Sequence, residues 1–232
     1  MAAQFAGAQV PAWGGGNDQH VIDFGFNFQY VSSQYKVLKK ADWQEPYLDP
    51  ENGNLPVSGR LNSISSPASP GFGVGFVSRL KVWDNLDLRF TPSLLFVDRN
   101  LVYTFDQTPA EDKMMTVQST AMDIPLSLKL KTDRLTNVRA YLIGGVKYTG
   151  EIGRRKPDDN EAPLDRLVKN KRGFFSYETG IGFDIYFEYF KMSPEIRVSR
   201  SFGNVLEAEN HPYSRPVDKL FLHNVIFSLL FE

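Results

Sequence analysis

Three kinds of side chain in this sequence could do chemistry. The first is histidine, at His20, His211 and His223. His211 sits in Glu207-Ala208-Glu209-Asn210-His211, where a carboxylate could orient the imidazole and Ser201 or Ser214 could act as the nucleophile of a rim hydrolase. No spacing ties either serine to that histidine. A solvated loop histidine is the simpler expectation, so no catalytic residue is assigned. The second kind is a set of charges spaced two apart within apolar stretches. Its acids are Asp23, Asp87, Asp123, Glu178, Asp184 and Glu195, and its bases Arg79, Lys81, Arg89, Lys129, Arg139, Lys147, Lys191 and Arg197. Enclosed together, such groups either pair with one another or line a path for ions. The third kind is basic: Arg154-Arg155-Lys156 and Lys169-Asn170-Lys171-Arg172 could meet phosphates or a partner's acids, although a solvated loop explains them as well. No phosphate loop, dinucleotide fingerprint, zinc-protease or calcium-loop pattern is present. With no cysteine there is no disulfide, thiolate metal site or cysteine nucleophile, and no cofactor or metal is expected.

The elements that must position the charges have a period of two. In Ile22-Asp23-Phe24-Gly25-Phe26-Asn27-Phe28-Gln29-Tyr30 every even residue is apolar and every odd one polar or glycine. That is a strand with two unlike faces. The pattern recurs over Phe72–Val82, Leu86–Phe96, Met122–Leu130, Val138–Tyr148, Phe175–Phe187, Phe190–Val198 and Val225–Phe231, which makes eight strands. The apolar register includes Phe24, Phe26, Phe28, Phe90, Leu94, Ile124, Leu128, Leu142, Ile181, Phe183, Ile196 and Phe227, and it holds no charge. The charged set falls entirely on the other register. Such segregation is expected when a charge on the lipid face costs about 2–4 kcal/mol at mid-membrane. Strands of about 9–13 residues suit a tilted crossing of a bilayer. The last strand is less clean, because Leu220, Leu222, Ile226 and Leu230 are apolar on the supposed inner face and His223 sits on the outer one; His20 and His223 read as interface residues near strand ends.

The connections alternate between long and short. Residues 33–69, 99–116, 150–172 and 202–218 are long, with 99–116 reading as strand extensions around Asp106–Lys113; Asp84-Asn85, 132–137 and Glu188-Tyr189 are short turns. The expected fold is therefore all-β: an eight-stranded antiparallel up-and-down transmembrane β-barrel with short periplasmic turns and long extracellular loops. A soluble barrel would have to seat all the large apolar side chains inside eight strands, where only ordinary packing fits. Gly71, Gly73, Gly75, Gly180 and Gly182 on the polar register suit a crowded interior. Pro92 and Pro194 fall mid-strand, implying a bulge or a local break in pairing, and Pro125 points inward.

Length and charge narrow the function. The chain has 232 residues, 26 Lys+Arg against 27 Asp+Glu and a net charge of −1, so nucleic acid is not an expected partner. Mean hydropathy is −0.31, an average that cannot register alternation. Residues 1–18 are Ala/Gly/Gln-rich and are expected to be a disordered or leader-remnant segment, leaving 19–232 as the barrel domain. The end, Val225-Ile226-Phe227-Ser228-Leu229-Leu230-Phe231-Glu232, is an alternating strand such as the barrel assembly machinery would engage, with Glu232 departing from a terminal aromatic.

Three segments carry a family resemblance: SPGFGVGFVSRLKVWDNLDLRFTPSLLF (69–96), STAMDIPLSLKLKTDRLTNVRAYLIGGVKY (119–148) and YETGIGFDIYFEYFKMSPEIRVS (177–199). They resemble the PorT (SprT) family of outer-membrane barrels, from the type IX secretion and gliding-motility system of Bacteroidetes. The resemblance spans roughly residues 20–232 and supplies no catalytic residues. It implies an accessory role in cargo export across the outer membrane, by assembly or docking with a larger translocon. The partners would be outer-membrane lipids and other secretion subunits, with no small-molecule substrate. A small porin-like barrel passing ions is the alternative, and a rim hydrolase the third reading.

Overall fold

Alternation becomes eight long antiparallel strands. A computed structural model describes residues 20–49, 53, 55–56, 59–106, 113–152, 169–207 and 212–232. The expected leader remnant at 1–18, the Arg154-Arg155-Lys156 cluster and His211 lie outside the described residues. The strands are β1 (Ile22–Lys39), β2 (Ser69–Trp83), β3 (Leu86–Phe90 continued by Ser93–Phe105), β4 (Lys113–Lys131), β5 (Val138–Ile152), β6 (Gly173–Tyr186), β7 (Lys191–Ser201) and β8 (Val217–Phe231). Each pairs with its chain neighbours, and β8 returns to β1 from Phe26↔Phe231 to Val37↔Leu220. The sheet closes, so it has no free edge, as a chain crossing lipid with strands requires. No helix among the described residues is long and apolar enough to cross a membrane, which says nothing against strands.

The short turns lie where the sequence puts them. Asp84-Asn85 joins β2 to β3, and 132–137 joins β4 to β5 with Thr136 at φ 54°. The Lys81 ammonium, hydrogen-bonded and 2.9 Å from Asp84, holds that exposed carboxyl below its usual range. At the other end the strands outrun expectation. β1 extends to Lys39 and β4 spans 19 residues, against the ten or so that a tilted crossing needs. The surplus stands beyond the membrane at the long-loop end. There Leu61–Ser65 adds to β3, Leu48–Asp49 pairs with Leu55–Pro56, and Lys169–Asn170 pairs with Leu206–Glu207.

The mid-strand prolines break pairing without shifting register. Phe90↔Ser78 and Ser93↔Gly75 share one register across Thr91-Pro92, and so do Phe90↔Leu126 and Ser93↔Asp123 on the other side. Pro194 likewise faces the two missing rungs between Gly182↔Glu195 and Ile185↔Met192. No bulge is needed at either proline: a residue without an N–H simply leaves the ladder and the strand continues. Pro125 points inward and is buried.

Candidate functional site: a filled lumen inside an apolar belt

The outer face is built from the apolar register. Phe24, Phe26, Phe28, Phe90, Leu94, Leu128, Leu142, Ile181, Phe183, Ile196 and Phe227 are exposed, Phe24 at 75%, and Ile124 is half-buried between its neighbours. Aromatic rings edge this belt. Near the long loops Phe72 stacks on Phe96 at 5.1 Å, Tyr148 meets Phe175 at 5.2 Å and Tyr177 meets Phe202 at 5.4 Å. Near the short turns Trp83 and Tyr189 are exposed and Phe187 stacks on Phe190 at 4.7 Å. Two aromatic girdles around an apolar band are the signature of a barrel seated in a bilayer. Between Leu130, Ala140, Leu142, Ile181 and Phe183 the small alanine leaves a groove of about 500 Å3 on this face.

The inner face collects the charges. Arg79, Asp87, Arg89, Asp123, Lys129, Lys147, Glu178, Asp184, Lys191, Glu195 and Arg197 are buried, and Asp23 and Arg139 are half-buried. Lys81 was expected inside and instead lies at the rim, its side chain 29% exposed and turned to Asp84. At the short-turn mouth Arg79 bonds Asp23 and lies 3.5 Å from Asp87, which Lys131 also meets at 2.7 Å. Deeper in, Lys129 Nζ lies 2.7 Å from both oxygens of Asp184, and Ser193 Oγ donates to the same carboxylate at 2.6 Å. Arg89 donates to Glu195 at 2.7 Å, and Arg197 bridges Glu195 (2.8 Å) and Glu178 (3.0 Å). Tyr141 donates to Glu195 at 2.8 Å, while its ring lies under Lys129 Nζ at 3.9 Å. Lys147 meets Asp123 at 2.7 Å, and Thr149 donates to it at 2.6 Å. Buried charges are tolerable when opposite charge lies close, as it does for Lys129, Arg89, Arg197 and Lys147; hydrogen bonding is less complete, since Arg89 Nε and Nη2 and Glu178 Oε2 are buried without a hydrogen-bond partner among the described residues.

The fit is tight. A Cβ on Gly182 would overlap the Tyr141 ring, and one on Gly180 would press into Arg197 and the Ile196 carbonyl, so these two positions need a residue without one. Mid-lumen, the gap among Gln29, Ser93, Asp123, Lys147, Glu178 and Arg197 does not admit a water-sized sphere.

Toward the long loops the inner chemistry changes from ionic to apolar. Tyr35, Leu101, Tyr103, Met115, Phe174, Leu220 and Leu222 turn inward and pack with Leu61, Ile64, Val205, Leu206 and Tyr213 from the loop segments. Tyr103 donates to the Tyr213 carbonyl at 2.8 Å, and Asn170 donates to the Tyr35 hydroxyl at 2.6 Å. The apolar inner residues of the last strand thus have their reason. Leu220 and Leu222 belong to this cap, and Ile226 packs with Val31 and Leu95 just below it. Ser201, a possible nucleophile, is buried here with its Oγ accepting from the Leu222 amide at 3.0 Å. His20 is exposed at the short-turn end. No three His, Asp or Glu side chains among the described residues gather into a metal site.

Four lumen charges escaped the sequence reading. Arg99 lies 3.7 Å from Glu151 and donates to Ser33, because β3 runs on as an extension whose inward register continues that of the membrane strand. Lys131 sits one inward step past the expected end of β4. Glu232 continues the pairing of β8 with β7: its backbone bonds Lys191 in both directions, and its carboxylate meets Lys191 Nζ at 2.6 Å inside the barrel. The signal was available, since all four continue the inward register of their strands.

Several solved outer-membrane proteins are similar to this chain. The Pseudomonas aeruginosa outer-membrane protein OprG superposes at a TM-score of 0.50 and 11% identity, over 90% of this chain and 92% of that one. Neisserial surface protein A gives 0.42 and 8% over 91% and 98%, and Ail of Yersinia pestis 0.37 and 10% over 90% and 96%. No curated protein matches the chain in sequence. Residues 18–207 match a family described as an outer membrane protein beta-barrel domain. An apolar belt, a closed eight-strand ring and that match together make this chain a member of the outer membrane protein beta-barrel domain family, resident in the outer membrane.

Proposed function

We propose that this barrel is an accessory component of a type IX protein secretion apparatus, assembling or docking with a larger translocon and not itself passing cargo. The observation that carries the accessory role is the filled interior. Ion pairs occupy the lower lumen and a loop-built apolar cluster the upper, so no solute the size of a folded protein has a route. The secretion assignment rests on the PorT-like segments 69–96, 119–148 and 177–199. Outer-membrane lipids surround the belt, other secretion subunits meet its outer face or loops, and the barrel assembly machinery engages β8. No catalytic step, cofactor, nucleic acid or small-molecule substrate enters this reading.

Gene deletion tests it. Cargo proteins accumulate in the periplasm of the deletion strain and return to the surface on complementation, and secretion subunits co-purify with the barrel in mild detergent. Normal surface display in the deletion strain rejects the proposal. In planar bilayers the purified protein is silent; steady ion-selective openings would favour a small porin instead.

A further inference from the structure

The outer face just beyond the apolar belt is not uniform around the barrel. On β7, β8 and β1 it is cationic. Arg200 pairs with His223 across β7 and β8, and His223 pairs with Gln34 across β8 and β1. One outward step further, Phe221 faces Lys36, and one beyond that Lys219 faces Leu38. Alternation turns all of these outward, continuing the register of Val225, Phe227 and Tyr30 below them. Lys36, Arg200 and Lys219 are exposed and His223 is half-buried. None of the four forms an ion pair among the described residues, whereas the nearby Arg215 is engaged with Asp42 at 3.8 Å. Asp218, beside Lys219 in the chain, is exposed and is the one acid adjoining the group along these strands. On the opposite strands the described outward side chains just above the belt include Asp98 and Asn100 on β3 and Thr116 and Thr120 on β4, none of them a cation.

Height matters as much as charge. Arg200 neighbours Tyr177 on β6, and Phe202, the next outward residue on its own strand, touches the Tyr177 ring. The cations therefore start within the aromatic girdle, where lipid headgroups lie. The Arg200 guanidinium stands in this row, the Lys36 ammonium two residues beyond it on β1 and the Lys219 ammonium four residues beyond it on β8; a cationic strip rising from the headgroup level suits phosphate oxygens, which accept strong charge-assisted bonds.

We propose that Lys36, Arg200, Lys219 and His223 form a binding site for the phosphate of an outer-leaflet glycolipid of the lipid A type, whose acyl chains lie down the belt over Val225 and Tyr30. This rests on outer-membrane residence and not on the secretion role. The test uses the full chain folded in zwitterionic detergent, with native mass spectrometry reading the retained lipid. Lipid A is expected to be retained at least tenfold more than its dephosphorylated form. Equimolar inorganic phosphate, which lacks acyl chains, is expected not to displace it. The Lys36→Gln/Arg200→Gln/Lys219→Gln variant loses that preference while keeping the heat-modifiable gel mobility of a folded barrel, and Arg134→Gln at the other end of the barrel retains it. Equal retention of the two lipids, displacement by equimolar phosphate, unchanged retention in the folded triple variant or equal loss in Arg134→Gln each overturns the proposal.

Discussion

Lys129 shows what a single lumen residue contributes. Its ammonium is fully buried and meets both oxygens of Asp184 at 2.7 Å. Lys129→Met leaves Asp184 a buried carboxylate held by Ser193 and no cation at bonding distance. That kind of loss costs about 3–5 kcal/mol. Adding Asp184→Asn removes the stranded charge, so the double variant is expected to recover a large part of the deficit. Urea unfolding in lipid vesicles reads both; additive losses in the double variant would show that the pair is not coupled. At this scale the sequence is readable because segregation is a strong pattern: the charges fall on one register of each strand and none on the other. Arg99, Glu151, Lys131 and Glu232 lie just beyond the clean alternating spans, where the period-two contrast fades although the strand continues. Each lies on the inward register, and the sequence around each contains turn-forming or terminal residues that suggested a boundary.

At the scale of the strand, β4 shows how the two faces divide the work. Leu126 lies mid-belt and exposed, between Ile124 and Leu128, while Asp123, Ser127 and Lys129 fill the other side. Leu126→Arg is expected to destabilise the folded barrel by about 2–4 kcal/mol, since it places a charge near the bilayer midplane. Leu135→Arg, on the exposed 132–137 turn, is expected to cost almost nothing. Equal effects would mean that Leu126 does not face lipid. β8 and β1 show what alternation cannot convey. Their outward residues pass from Val225 to His223 and from Tyr30 to Gln34 and Lys36, while the inward ones pass from Ser228 and Asn27 to Leu220 and Tyr35. Both faces exchange character where the strands leave the membrane. Read with one rule for the whole strand, Leu220 and Leu222 look like noise; they are the start of a small water-soluble core built from the strand extensions and loops. Which loop segments pack there, Leu61 and Tyr213 among them, depends on contacts between residues far apart in sequence, and period-two patterning carries no information about those.

For the whole molecule, the closed ring makes inside and outside absolute. An eight-stranded ring leaves an interior just wide enough for side chains, and here salt bridges and an apolar cap take that space. The central claim is the assignment of the two faces, and the absence of native cysteine makes it directly measurable. Single cysteines placed in turn at residues 122 to 130 of β4 can each carry a nitroxide, and collision rates with oxygen and with a water-soluble nickel chelate can be read in vesicles. High oxygen access is predicted at 122, 124, 126, 128 and 130, with low access to both reagents at 123, 125, 127 and 129. High nickel access at the even positions, or loss of the two-residue period, would contradict the barrel described here.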